Sequence, residues 1–327
     1  MSKFFIPLLF LMTFCVGPFV QACSVCGCGD PMQSSANAHP LEGAVRLDFE
    51  TIYLTASAQS DDDITQTESV RQVNLNTTLN YSPTNDITLT LMLPLVEKYW
   101  TLSAGDAPAV PGGALADTGT PFGIGDVMVG ARYFFWQDTD FKTRQHQALA
   151  VSAGAYLPTG PTNINSGITG GPIDTHAQLG TGAFGFYGGL LYNHVWDDLT
   201  ISANFNLVAH TQALTSDPNS AVWDYTFGTS FTGGISGQYH LEDDLGISLA
   251  VEARYADPDK EPNDSQTAII TAPDTGGTVL DLSPGFSWNI SGDSVLYAKV
   301  QVPVYTSLFG VQEIDPTYLL GTQFLIK

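Results

Sequence analysis

The chain has 327 residues, of which 43% are hydrophobic, 11% aromatic and only 13% charged, so it can build a folded body. Its 11 Lys and Arg stand against 33 Asp and Glu, a net charge of −22 that argues against a nucleic-acid partner. Beyond the first two dozen residues no apolar run of about twenty residues occurs, which excludes a helical membrane span, and 32 glycines and 19 prolines with almost no helical period indicate an all-β chain.

Met1 to Lys3 is a short charged start, Phe4 to Val20 is nearly all apolar, and Val20-Gln21-Ala22 supplies small residues before a cut. Residues 1–22 therefore read as a secretory signal peptide, with the mature chain starting at Cys23. Lipidation of Cys23 is the alternative, although Gln21 is a poor residue just before the small one. Cys15 leaves with the leader, so Cys23, Cys26 and Cys28 place three thiols within six residues. Two or three thiolates at this spacing suit a thiophilic ion such as Cu(I), whereas tetrahedral zinc needs a further ligand, for which His39 is nearest. Oxidation to a disulfide in the periplasm is the competing fate. Residues 23–43, with Pro31 and Pro40, form a periplasmic N-terminal segment at or inside the barrel mouth.

From residue 44 to 327 apolar and polar residues alternate in strand after strand. Val73, Leu75, Leu79 and Tyr81 are separated by Asn74, Asn76, Thr78 and Asn80, and Ile201 to His210 repeats the pattern. Trp223, Tyr225, Phe227, Thr229 and Phe231 predict a strand over 223–232, and Ile247 to Tyr255 and Leu296 to Val302 predict two more. A soluble sandwich shares this period of two. The connections distinguish the two architectures. Short ones at 82–86, 137–144, 196–198, 241–244 and 291–293 alternate with long ones at 60–68, 103–125, 159–178, 211–220 and 257–276. That asymmetry predicts a closed antiparallel transmembrane β-barrel of about twelve strands in the outer membrane of a Gram-negative cell. The turns and both chain ends would be periplasmic and the long loops external. Tyr99-Trp100, Phe134-Phe135-Trp136, Tyr192, Trp196, Trp223 and Tyr239 near strand ends suit interfacial girdles.

Phe122-Gly-Ile-Gly-Asp-Val-Met-Val-Gly-Ala-Arg-Tyr-Phe-Phe and, one strand later, Ala155-Tyr-Leu-Pro-Thr-Gly160 resemble the outer-membrane transporter family named for the meta-pathway of phenol degradation. The resemblance implies a channel for small, often hydrophobic or aromatic solutes, in contact with outer-membrane lipids and inserted by the barrel-assembly machinery. Gly123, Gly125 and Gly130 do not form a phosphate-binding loop, since a strand and no helix follows them. The C-terminus departs from the barrel pattern, because Phe324 is not last and the chain ends on Lys327.

In a barrel, Arg or Lys facing lipid near the midplane would cost roughly 2–4 kcal/mol, so the strand charges are assigned to the interior. Arg46, Asp48, Glu50, Arg71, Lys98, Arg132, Glu252, Arg254, Asp281 and Lys299 are the expected pore-lining set, with bracing of the interior as their other role. Asp61-Asp62-Asp63, Asp106, Asp117, Asp217, Asp257, Asp259, Glu261, Asp264 and Asp274 place most of the negative charge in external loops, where they solvate the surface or gather cations. The triple aspartate lacks the spacing of a calcium loop. Six scattered histidines form no catalytic constellation, so no enzyme and no organic cofactor is expected. Two functions follow from different features: a solute channel, and a barrel anchoring the cysteine segment for metal binding or redox partnership.

Overall fold

The computed structural model describes residues 40–59, 66–104, 114–140, 142–143, 145–215, 217, 219–242, 244–263, 267–272 and 275–326. The expected signal peptide and the candidate ligands Cys23, Cys26, Cys28 and His39 lie outside these residues. The strands in chain order are β1 (Val45–Gln59), β2 (Gln66–Tyr81), β3 (Ile87–Ala104), β4 (Ala114–Gly119), β5 (Phe122–Ile124) and β6 (Val127–Asp140). They continue with β7 (Gln145–Leu157), β8 (Gly185–Val195), β9 (Leu199–His210), β10 (Ser230–Glu242), β11 (Leu245–Ala256) and β12 (Lys260–Pro262). The last five are β13 (Ile269–Thr271), β14 (Gly277–Ser291), β15 (Ser294–Leu308), β16 (Val311–Ile314) and β17 (Thr317–Ile326).

Twelve of these strands close a ring of antiparallel neighbours, β1-β2-β3-β6-β7-β8-β9-β10-β11-β14-β15-β17, and β17 returns to β1 from Val45↔Ile326 to Tyr53↔Tyr318. Closure leaves no sheet edge, the condition for strands to cross hydrocarbon. The five short strands belong to the long connections: β4 and β5 pair with β3, β16 with β1, and β12 with β13. Both described chain ends lie at the short-turn end, where Gly43 N donates to Ser82 O and Leu325 N to Asp293 O, each at 2.8 Å.

The faces are inverted relative to a soluble protein. On β2, Val70, Gln72, Asn74, Asn76, Thr78 and Asn80 point inward and are buried, while Leu75, Leu79 and Tyr81 are exposed. On β3, Thr88, Thr90, Met92, Val96 and Trp100 are inward and Leu89, Leu91, Leu93 and Tyr99 outward. An apolar exterior around a largely polar interior matches a bilayer outside and water or polar packing inside. Pro94 has no N–H to donate, and it sits where β3 changes partner, from β6 up to Met92↔Met128 to β5 from Leu95↔Ile124.

Two expectations are corrected. The strand predicted over 223–232 starts only at Ser230, because Asp224 takes a positive φ of 52° in a turn and Tyr225 is drawn into a loop cluster. Of the expected girdle aromatics, Trp100 and Phe134 are buried inside. A bulge between Phe134 and Trp136 turns both Phe135 and Trp136 outward.

Candidate functional site: the barrel interior and its loop-filled mouth

The interior wall is a connected polar network. Asn80 Nδ2 donates to Asp48 Oδ2 at 2.8 Å, and Thr90 Oγ1 to Asn80 Oδ1 at 2.7 Å. Tyr297, whose ring lies against Gly321 where a Cβ would leave no room, donates its hydroxyl to Glu50 Oε2 at 3.0 Å. Glu252 accepts from Lys299 Nζ at 3.2 Å, from Ser283 Oγ at 3.0 Å and from Gln301 Nε2. Arg254 grips Asp281 Oδ2 through Nε at 2.9 Å and Nη2 at 2.8 Å, and Asp281 is completely buried. Low dielectric makes unpaired charge expensive here, so opposite signs on adjacent strands neutralise one another.

Of the ten charged residues assigned inward from sequence, Asp48, Glu50, Arg132, Glu252 and Asp281 are buried, and Arg46 shares their face on β1. Arg254 and Lys299 reach the interior through the pairs just described. Lys98 also points inward, but its Nζ donates to the carbonyls of His176 at 2.7 Å and Gln178 at 2.6 Å, holding a loop. Arg71 is a correction: it alternates with buried Val70 and Gln72, is exposed, and lies over the outward Tyr99 ring with its guanidinium carbon 5.2 Å from the centroid. Its parity is that of Val73 and Leu75, and an interfacial aromatic accepts the cation near the strand end.

Two apolar clusters also lie on the inner face, on β3 and β6 to β9, with the buried Arg132 between them on β6. Met92, Met128 and Tyr187 pack together with Tyr156 and Val208 against them, and Phe134, Ala148, Ala150 and Leu191 form a second cluster nearer the short-turn end. Tyr187 lies flat because Gly130 and Gly154 leave space for it; a Cβ on Gly130 would sit 1.8 Å from the Tyr187 hydroxyl oxygen. Two glycines of the interior wall thus accommodate one ring.

The long-loop end is filled from within. Residues 158–184 fold inward, bringing Ile173 and Ala177 against Val70 and Trp100 of the wall. The root of this segment is Asp126, whose carboxylate accepts Gly160 N at 2.9 Å, Thr181 N at 2.8 Å and Thr181 Oγ1 at 2.7 Å. Gly160 and Gly180 meet backbone to backbone there, where a Cβ on Gly160 would lie 2.6 Å from the Gly180 Cα. The two motif-like segments of the sequence thus build one joint, Asp126 from the first and Gly160 from the second.

At its tip the segment joins the two loops beyond it. His176 Nε2 lies 3.0 Å from Asp259 Oδ2 and 3.0 Å from the Tyr225 hydroxyl, which itself donates to Asp259 Oδ2 at 2.7 Å. Asp259 also accepts Gly228 N at 2.6 Å. Burial works against the imidazolium, but the hydrogen bond and charge of Asp259, with the charges of Asp174 and Glu68 behind, outweigh it and hold His176 up at about 9. Burial acts oppositely on Asp259, and the His176 contacts outweigh it, leaving the carboxyl below its ordinary value. Burial and then the Asp259 charge drive the Tyr225 phenol upward. Phe227 lies edge-on to His176, with ring centroids 5.7 Å apart.

Asp259 and Asp117, expected as solvated loop acids, are therefore structural. Asp117 accepts hydrogen bonds from Ser166 Oγ and from Thr169 Oγ1, the latter at 2.9 Å. Sequence reasoning did not find the His176, Tyr225 and Asp259 constellation, whose members stand 49 and 34 positions apart with no shared period. The one local signal was Asp126 inside the glycine-rich segment. Among the described residues no group of three or more His, Cys, Asp and Glu is arranged to hold a metal ion.

Residues 55–310 match the sequence profile of the family described as the MetA-pathway of phenol degradation. No protein of curated function matches the sequence. Among solved structures, the COG4313 outer membrane channel from Pseudomonas putida F1 superimposes with a TM-score of 0.58 at 14% identity, covering 91% of this chain and 99% of that one. The translocator domain of the autotransporter NalP from Neisseria meningitidis gives 0.47 at 13% identity over 89% and 91%. The toluene transporter TbuX of Ralstonia pickettii gives 0.38 at 12% identity over 90% and 94%. At these identities the first likeness is one of fold.

Proposed function

The chain belongs to the family described as the MetA-pathway of phenol degradation, and from that premise we propose that it is an outer-membrane channel for small solutes, hydrophobic or aromatic ones among them. The observation that carries this reading is the inverted barrel, with an apolar exterior and an interior that combines a polar, charge-paired network with two apolar clusters. A ring-bearing solute with a hydrogen-bonding group would find partners of both kinds. The short-turn end, which holds both described chain ends, is the periplasmic one in this reading, and insertion is the work of the barrel-assembly machinery. The protein acts by passage and not by turnover. Arg46, Asp48, Glu50, Arg132, Glu252, Arg254, Asp281 and Lys299 line or brace the path.

Single-channel recording of the folded protein in a planar bilayer, with reversal potentials in a salt gradient, tests the proposal. Discrete steps with cation preference are expected, because the chain is acidic overall while the charges of the wall are paired. A folded barrel without steps at any voltage, with the contacts that hold the long-loop mouth intact and with them broken by substitution, would overturn the channel reading. Liposome flux of phenol compared with an uncharged sugar of similar size then reports the solute class.

A further inference from the structure

We infer that residues 158–184 are a gate that closes the long-loop mouth and moves as one body, hinged at the Asp126 joint and latched by the contact of His176 with Tyr225 and Asp259. This inference rests on the channel reading, whose regulation it names.

Three observations carry it. The first is that the segment is braced internally. The Gln178 side chain accepts Ile164 N at 3.0 Å and donates to Ile164 O at 3.1 Å and Ile173 O at 2.9 Å, and Ile173 N donates to Ile164 O at 3.1 Å. A loop that satisfies its own backbone can leave the wall without exposing unpaired groups, as compact surface loops do. The second is that the segment adds no strand to the barrel; its one isolated bridge, Asn165↔Pro172, is internal. It meets its surroundings through the Ile173 patch and through hydrogen bonds made by side chains and loop backbone, among them Lys98 on two carbonyls, Ser166 and Thr169 on Asp117, Thr175 Oγ1 on Ala221 O, Gly167 N on Thr118 O and, at the root, Leu214 N on Gly182 O. The third is that the root and the tip are held by different means. Asp126 binds both ends of the segment, at Gly160 and Thr181, and can stay intact while the tip swings. The tip contact is made across loops, and its partners belong to separate connections.

The charged and titratable groups facing His176 are Asp174 on its own segment, Glu68 from β2, Lys98 from β3 on its carbonyl, and Tyr225 and Asp259 from the two following connections. The latch holds a proton more tightly closed than open. Its contribution is complete below the ordinary imidazole value of 6.5 and disappears as pH rises through about 9.

A reversible crosslink tests the gate. A Cβ built on Gly119 of β4 lies 3.7 Å from the Ile173 Cβ, within the range a disulfide requires. In the full chain with Cys23, Cys26 and Cys28 replaced by serine, Gly119→Cys with Ile173→Cys should be silent when oxidised and regain the parent's steps on reduction. Without any crosslink, His176→Gln should raise open probability on the order of tenfold, a usual coupling for a two-state switch. The parent should gain openings above pH 9, and the His176→Gln protein should not. Steps that persist through a crosslink verified by mass, or a His176→Gln protein gating like its parent at every pH, would overturn the gate and leave the channel standing. A parent silent throughout, with His176→Gln silent too, overturns the channel and the gate together.

Discussion

Replacing Asp126 with alanine removes the acceptor of three hydrogen bonds at once, those from Gly160 N, Thr181 N and Thr181 Oγ1. A hydrogen bond to a charged group contributes about 1.5–3 kcal/mol, but the joint is only part-buried and water reaches some of the released donors. A total of about 3 kcal/mol is therefore the working figure, and at 1.4 kcal/mol per tenfold it raises the open population of the joint on the order of a hundredfold. The barrel itself should persist, since Asp126 lies between β5 and β6 and the hydrogen bonds it accepts come from the 158–184 segment. Hydrogen exchange followed by mass spectrometry reads this directly. Peptides reporting the amides of Gly160 and Thr181 should exchange on the order of a hundredfold faster, while the internally bonded Ile164 and Ile173 amides and peptides from β9 and β10 keep the parent's protection. Gly180→Ala should reproduce the effect, because its Cβ would lie 2.4 Å from Gly160 O and 2.7 Å from Asp126 Oδ1. Unchanged exchange across 158–184 in both variants would refute the role given to this joint.

Leu91 faces outward and is 44% exposed, so Leu91→Arg should cost about 2–4 kcal/mol and lower the temperature at which the folded band disappears in a heat-modifiability gel; no change would contradict the lipid-facing assignment. Lys299→Met takes the cation away from the buried Glu252 carboxylate, a loss of about 3–5 kcal/mol in urea unfolding, and adding Glu252→Gln should return most of it. Gly130→Ala should lift the Tyr187 ring from the wall and alter conductance, with Tyr187→Ala restoring it. Serine at Cys23, Cys26 and Cys28 should leave barrel folding intact; a loss of copper from protein purified under anaerobic conditions would establish the metal role of the segment, and unchanged metal content would dismiss it.

A period of two, an even strand count and the alternation of short and long connections were legible without coordinates, because each is a local consequence of how side chains alternate along a strand and of where turns fall. Asp48, Glu50, Glu252 and Asp281 could be assigned to the interior from the cost of lipid-facing charge alone. Arg71 keeps the outward parity of Val73 and Leu75 in spite of its charge, because snorkelling makes an outward cation cheap near a strand end. Trp223, Tyr225 and Phe227 keep strand parity in the sequence, and no local rule says that the chain turns at Asp224. The sequence by itself determined the barrel, its inverted faces and the acidic character of its loops. Only the tertiary structure decided that residues 158–184 fold inward. The contacts responsible join Asp126 to Thr181 and His176 to Asp259 across 55 and 83 positions, distances over which residue spacing carries no information about approach.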